Sequence, residues 1–125
     1  MIEFSNGVLI GNSFPLSLIR RKVFITPEKK EILQRVLQDK EVFSFWGHSN
    51  SIKAASDFLA CDLSPDCERP AISIDKDGYP NFNGQRFQEC WVVSANYIEN
   101  FRPAIGEEIA PEKIASWQVL FMKWE

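Results

Sequence analysis

Histidine is nearly absent: His48 is the only one in 125 residues. One histidine per chain excludes a multi-histidine metal centre and the two-histidine pair of a ribonuclease-A-like mechanism, and it makes His48 the side chain that titrates near neutral pH. Cysteine is scarce too. Cys61, Cys67 and Cys90 are odd in number and nowhere spaced C-x-x-C, which points away from a disulfide framework or zinc site and toward reduced, mostly buried thiols. No metal or other cofactor is expected. A basic surplus is also missing. Fourteen Lys plus Arg stand against seventeen Asp plus Glu, a formal charge of −3. The whole-molecule field therefore does not attract a long nucleic acid, and an anionic ligand must be met by a local cluster. No apolar run approaches the ~20 residues that span a bilayer, and Met1-Ile2-Glu3-Phe4-Ser5 lacks a signal-type opening, so a cytoplasmic protein without a membrane partner is expected.

Repeats, low-complexity tracts and Ser/Gly linkers are absent as well, and one domain over residues 1–125 is expected. At 45% hydrophobic residues a chain of this length buries about two-thirds of its unfolded surface and builds a core without staples. Short apolar runs at 7–11, 22–25, 42–46, 71–74 and 90–95 read as strands, and the aromatic tail 117–124 reads as a final one. Thr26-Pro27-Glu28 has the pattern of an N-cap, a first-position proline and an acidic first turn, which predicts a helix from there to about Lys40. In it Ile32, Leu33, Val36 and Leu37 share a face. A second helix follows Gly47-His48-Ser49-Asn50-Ser51, with Ile52, Ala55, Phe58 and Leu59 on one side. Residues 77–84 have the composition of a turn or exposed excursion, and residues 110–114 that of a short helix. Strands and helices interleave, so the expected class is α/β or α+β, a mixed sheet with flanking helices.

The strand–turn–helix junction at residues 42–51 is where chemistry fits. A Gly-His-Ser-Asn-Ser loop before a helix can aim backbone N–H groups and hydroxyls at an anion, and His48, with an ordinary pKa of about 6.5, can donate a proton to a departing oxygen. The structural alternative is that Ser49 or Asn50 caps the helix and His48 bonds a neighbour. Asn12 and Ser13 leave the first strand where ligands of open sheets gather, although Asn, Ser and Pro are also turn residues. The run Arg20-Arg21-Lys22 reads as a solvated edge, while Arg69 and Arg102 gain interest if the fold brings them to one cleft, because arginine's fork suits phosphate.

With these residues in view the chain resembles the viral anti-CRISPR ring nucleases and their relatives, small dimeric proteins that degrade the cyclic tetra-adenylate messenger of type III CRISPR defence. The resemblance rests on the opening strand running into Asn12-Ser13-Phe14, the strand Lys22-Val23-Phe24-Ile25, Gly47-His48 followed by Ser51-Ile52, and Arg69 before a strand. It continues through Val92-Val93, Arg102 followed by Gly106, and the aromatic final strand. It implies that His48 is the catalytic acid of a metal-independent cleavage. In that reaction a ribose 2′-hydroxyl attacks its own 3′-phosphorus and the product ends in a 2′,3′-cyclic phosphate. It implies a ligand pocket of Asn12, Ser13, Gly47, Ser51, Arg69 and Arg102, and a homodimer whose two-fold axis matches that of the cyclic ligand. One departure stands out: the family carries a glutamate before the glycine that follows the arginine, and this chain has Ile105 there.

Three readings follow. The first is a viral ring nuclease-like protein that cleaves a cyclic oligoadenylate. The second is a non-catalytic sponge for the same ligand, motivated by Ile105. The third is a protein-interaction domain using exposed aromatics among Trp91, Trp117 and Trp124.

Overall fold

The computed structural model describes residues 3–47, 49–65, 71–102 and 108–125, with only the backbone of Ser49 and Asn50. Its elements in chain order are β1 (Val8–Gly11), β2 (Val23–Pro27), α1 (Lys30–Asp39), β3 (Val42–Ser44), α2 (Ser49–Leu59), β4 (Ser73–Ile74), β5 (Pro80–Phe82), β6 (Gln85–Arg86), β7 (Glu89–Tyr97) and β8 (Ile114–Trp124). Single 3-10 turns lie at Leu16–Leu18 and Pro111–Lys113. The main sheet has the order β2-β8-β7-β1-β3, with β1 parallel to both β3 and β7 and with β8 antiparallel to its two neighbours. It is the mixed sheet of an α+β domain. β1, β3 and β7 run in the same direction, and β7 continues past the end of β1 as far as Tyr97.

Alternation along the strands sends successive side chains to opposite faces. Val8 and Ile10 of β1, Trp91 and Val93 of β7 and Val119 of β8 pack beneath both helices, against Leu33 and Leu37 of α1, Ala55 and Leu59 of α2, and Trp46 and Leu63. Burying a leucine of this kind contributes roughly 1.5–3 kcal/mol. The intervening residues, Leu9, Cys90, Val92, Met122 and Trp124, meet Phe14, Phe43, Phe45, Phe82 and Phe87 on the other face. A second sheet of order β4-β5-β6 supplies Phe82 to that layer. The helices thus cover one face of the main sheet and the small sheet packs on the other.

Three expectations are corrected. The helix does not begin at Thr26-Pro27: β2 runs through both residues, its five pairs extending from Val23↔Trp124 to Pro27↔Leu120, and α1 starts at Lys30 behind Lys29, which makes no side-chain cap. Pairing to the long β8 outweighs a capping signal worth ~0.5–2 kcal/mol. The edge position of β2 also tolerates a proline, which has no N–H to offer a further strand. Residues 77–84 do contain turns, and Asn83-Gly84 closes a two-residue hairpin with φ of 52° and 75°, but the segment is not an exposed excursion, because Pro80 and Phe82 are buried. Both signs suit the mirror-image turn that matches strand twist. The tryptophans do not form an exposed surface either. Trp124 is fully buried and Trp91 is 6% exposed, while Trp117 is half-buried and stacked on Phe58 at 4.8 Å.

An ion cluster fastens the small sheet. Arg86 Nε and Nη2 donate to Asp75 Oδ2 and Asp77 Oδ2 at 2.6 and 2.7 Å, and Asp75 Oδ1 accepts the N–H groups of Asp77 and Tyr79. Partial burial alone pushes the Asp75 pKa up, but the two N–H groups and the guanidinium hold it below the usual carboxylate value. Of the cysteines, Cys90 is buried and Cys61 half-buried, both free thiols, and burial pushes the pKa of each up. Cys67 lies outside the described residues. No helix among the described residues is long and apolar enough to cross a membrane.

Candidate functional site

The site is built at the shared edge where β1 and β3 end, the place where parallel strands leave a crevice. Gly11 closes β1 under the ring of Phe45, and a Cβ on Gly11 would stand 2.6 Å from Phe45 Cζ, so only glycine admits the ring. Phe45 N–H donates to Ile10 O at 2.9 Å, carrying the β1–β3 pairing one residue past the ladder. Two residues on, Gly47 N–H donates to Asn12 Oδ1 at 2.9 Å. Because that partner is a donor, the Asn12 oxygen must face it, and the amide nitrogen is left as a donor with no partner among the described residues.

Trp46 anchors the turn from beneath. Its ring is buried, its Nε1–H donates to Ser51 Oγ at 2.9 Å, and its backbone N–H reaches Ser44 Oγ at 3.3 Å. The Ser44 hydroxyl in turn donates to Leu63 O at 2.5 Å, joining the segment after α2 to the end of β3. The start of α2 and the segment after it are therefore held against the end of β3 by buried hydrogen bonds, each worth about 1 kcal/mol net.

Above the turn lies a cleft of about 270 Å³ lined by Asn12, Ser13, Pro15, Phe45, Gly47, Ala71 and Ile72. Asn12, Ser13 and Gly47, named from the sequence, are thus brought together. Ser51 is not on this wall; it is buried beside the Trp46 indole. Arg102 is exposed after β7, where its Nη1 donates to Phe101 O, and it is not among the residues lining the cleft. His48, Arg69 and Ile105 lie outside the described residues. The Gly47 N–H, expected to face an anion, is instead given to Asn12. Sequence reasoning missed Pro15, Phe45, Ala71 and Ile72 as cleft walls. The glycine at 11 is the one local signal for Phe45, whereas Ala71 and Ile72 reach the cleft only through the packing of the small sheet. Among the described residues no group of three or more His, Cys, Asp or Glu is placed to hold a metal ion.

Neither a protein-family model nor a curated protein matches the chain. Among solved structures the chain is similar to B116 of Sulfolobus turreted icosahedral virus, with a TM-score of 0.58 and 15% identity over 95% of this chain and 99% of that one. At that identity the likeness extends to the fold, a fold this chain shares over nearly its whole length with a viral protein of similar size.

Proposed function

We propose that the chain is a homodimeric, ring nuclease-like protein that binds and cleaves a cyclic oligoadenylate, cyclic tetra-adenylate first of all, and so blunts type III CRISPR signalling on behalf of a virus in its host's cytoplasm. The observation that carries the proposal is the Asn12–Gly47 hydrogen bond. It joins the end of β1 to the Gly-His turn beside an open cleft, at the sheet edge where such ligands bind. The sequence resemblance and the fold shared with a viral protein support the same reading.

In this proposal the ligand lies across a two-fold axis, so that one histidine per chain becomes two per site. A ribose 2′-hydroxyl attacks the adjacent 3′-phosphorus and loses its proton to water, the bond from the 2′-oxygen to phosphorus forms as the bond from phosphorus to the 5′-oxygen breaks, and His48 gives its proton to that leaving oxygen. Holding nucleophile and leaving group in line supplies much of the rate. Asn12 Nδ2 and the Ser13 hydroxyl offer neutral donors to ribose or phosphate oxygens, while Arg69 and Arg102 bring local positive charge to a chain whose net charge is −3.

Purified protein mixed with cyclic tetra-adenylate in the absence of metal should give linear products, and His48→Ala should give none while still being stabilised by the ligand. A ligand at about one hundred times its Kd raises stability by about 2.7 kcal/mol. Ile105, in place of the family's glutamate, favours a second reading in which the protein sequesters the messenger without turnover. Stabilisation of wild type without products would select it. Neither stabilisation nor products would reject both.

A further inference from the structure

β2 is one edge of the main sheet, and it lacks the protection that edges usually carry. It pairs with β8 without a bulge, and its Phe24 and Ile25 are 51% and 49% exposed on opposite faces. Lys22 O accepts the Glu125 N–H and Glu28 N–H donates to Val119 O, so alternation turns the main-chain groups of Lys22, Phe24, Thr26 and Glu28 toward β8. Those of Val23, Ile25 and Pro27 point outward and have no partner among the described residues. Proline stands at the end of this outward set and withholds a single donor.

The strand is also complementary to itself. Laid antiparallel on a second copy about a two-fold axis at Ile25, it sets Ile25 opposite the partner's Ile25, Phe24 opposite the partner's Thr26, Val23 opposite the partner's Pro27 and Lys22 opposite the partner's Glu28. Ile25 N–H then donates to the partner's Ile25 O and Val23 N–H to the partner's Pro27 O, and symmetry repeats both bonds. Lys22 and the partner's Glu28 form a non-hydrogen-bonded pair, the kind in which side chains approach most closely. Neither residue is in an ion pair among the described residues. Arg21, next in line opposite the partner's Lys29, is turned away onto Asp77 O, Glu125 O and the Tyr79 ring. A two-fold axis at Phe24 also gives a ladder, but it sets Lys22 opposite the partner's Thr26 and brings Glu28 to Arg20, whose Nη1 is given to Ser17 O.

We infer that β2 is a self-association edge, where two copies of the chain join into one continuous sheet across Ile25, their ends tied by Lys22 and Glu28. This seam does not rest on the cyclic-oligonucleotide reading and is not the two-fold contact which that reading invokes. β1 lies three strands in from β2, so across the seam the two β1 strands stand about 34 Å apart at ~4.8 Å per strand spacing. Antiparallel pairing also points their ends in opposite directions. One ring of four nucleotides held by two copies of His48 therefore needs another axis, and a chain with both contacts assembles beyond the dimer, as a dihedral tetramer where the two axes intersect at right angles.

Sedimentation of the purified chain without ligand, over a concentration series reaching ~100 μM as a small seam requires, tests this. Ile25→Lys opposes two like charges on the axis at an exposed position, and it should halve the mass of the largest species while leaving the melting temperature of dilute protein unchanged. Lys22→Glu should raise the dissociation constant of the seam by about tenfold or more, and adding Glu28→Lys should restore it by reversing the pair. Equal masses of wild type and Ile25→Lys at every concentration overturn the seam. A halved mass in Ile25→Lys without a response to Lys22→Glu, or without recovery in the double variant, overturns the pairing about Ile25. Cyclic tetra-adenylate binding is read separately, so its absence rejects the cyclic-oligonucleotide reading and leaves the seam standing.

Discussion

Gly11→Ala places a methyl group where the Phe45 ring already lies. The added Cβ would fall 2.6 Å from Phe45 Cζ and 2.7 Å from Cδ2, against ~3.5–4.0 Å for carbon atoms at their best separation, so the ring or β1 must shift by about an ångström. The ring has little freedom to do so: Phe45 is 6% exposed, tilts against Phe82 with centroids 6.3 Å apart, and has its N–H bonded to Ile10 O. Overpacking of this kind costs about 1–3 kcal/mol. Loss of glycine entropy from the unfolded chain returns ~0.4–1 kcal/mol, leaving a net destabilisation near ~1.5 kcal/mol. For a chain of this length each kcal/mol moves Tm by ~3–6 °C, so a fall of about 5–9 °C is expected, read by urea unfolding and by thermal melting. A double-mutant cycle assigns the cause. In a Phe45→Leu background the alanine should cost much less, with a coupling of at least ~1 kcal/mol between the two sites. Gly11→Ala at wild-type stability, or losses that simply add, would refute the claim that the ring's fit on β1 shapes the cleft.

Other expectations concern the layers around the site. Leu33→Ala, fully buried beneath α1, should cost about 2–5 kcal/mol in urea unfolding, while the neighbouring Ile32→Ala, at 39% exposure, should cost less than about 1 kcal/mol; similar losses at both would contradict the helix face assigned here. Asp75 is ionised more readily in the folded protein than in the unfolded chain, so its contribution is complete above the ordinary carboxylate value of about 4 and is lost as pH falls through the lower folded value. Asp75→Asn should therefore be less stable than wild type at neutral pH and lose less on acidification below about pH 4. An acid-unfolding curve of unchanged steepness would speak against the ion cluster. Cys90, buried with its pKa raised, should resist a thiol reagent until the protein unfolds, and mass-mapped labelling of Cys90 in the native state would show that face of the sheet to be open.

Where burial is periodic, the sequence showed it. Val8, Leu9 and Ile10 divide cleanly between the two cores, as strand alternation requires, and the helix after Gly47 packs Ala55 and Leu59 on the face that its 3.6-residue period selects. Legibility fails where a distant partner overrules a local pattern. Thr26-Pro27-Glu28 reads as a helix start because the window around it contains nothing of Leu120 and Phe121, the residues that hold Thr26 and Pro27 in a strand. It fails again where strands are too short for a period to emerge. β5 and β6 have three and two residues, and of the sheet they form with β4 only the apolar run at 71–74 reads as a strand.

The site divides along the same line. Asn12 and Gly47 are 35 residues apart, and neither lies in a motif that names the other. Their meeting follows from register: with Ile10 opposite Ser44 in parallel β1 and β3, advancing both chains by two residues sets Asn12 beside Trp46 and within reach of the next N–H. A one-residue slip would turn every side chain of β1 to the opposite face and remove Val8 and Ile10 from the helix-covered core. Hydrophobic burial thus fixes the polar contact at the strand ends, which is why a sequence reader could place Asn12, Ser13 and Gly47 at one edge. The opposite wall has no such guarantee. Ala71 and Ile72 reach the cleft through the seating of the small sheet by Phe82 and Phe87, a contact that no periodicity around residues 71–72 encodes.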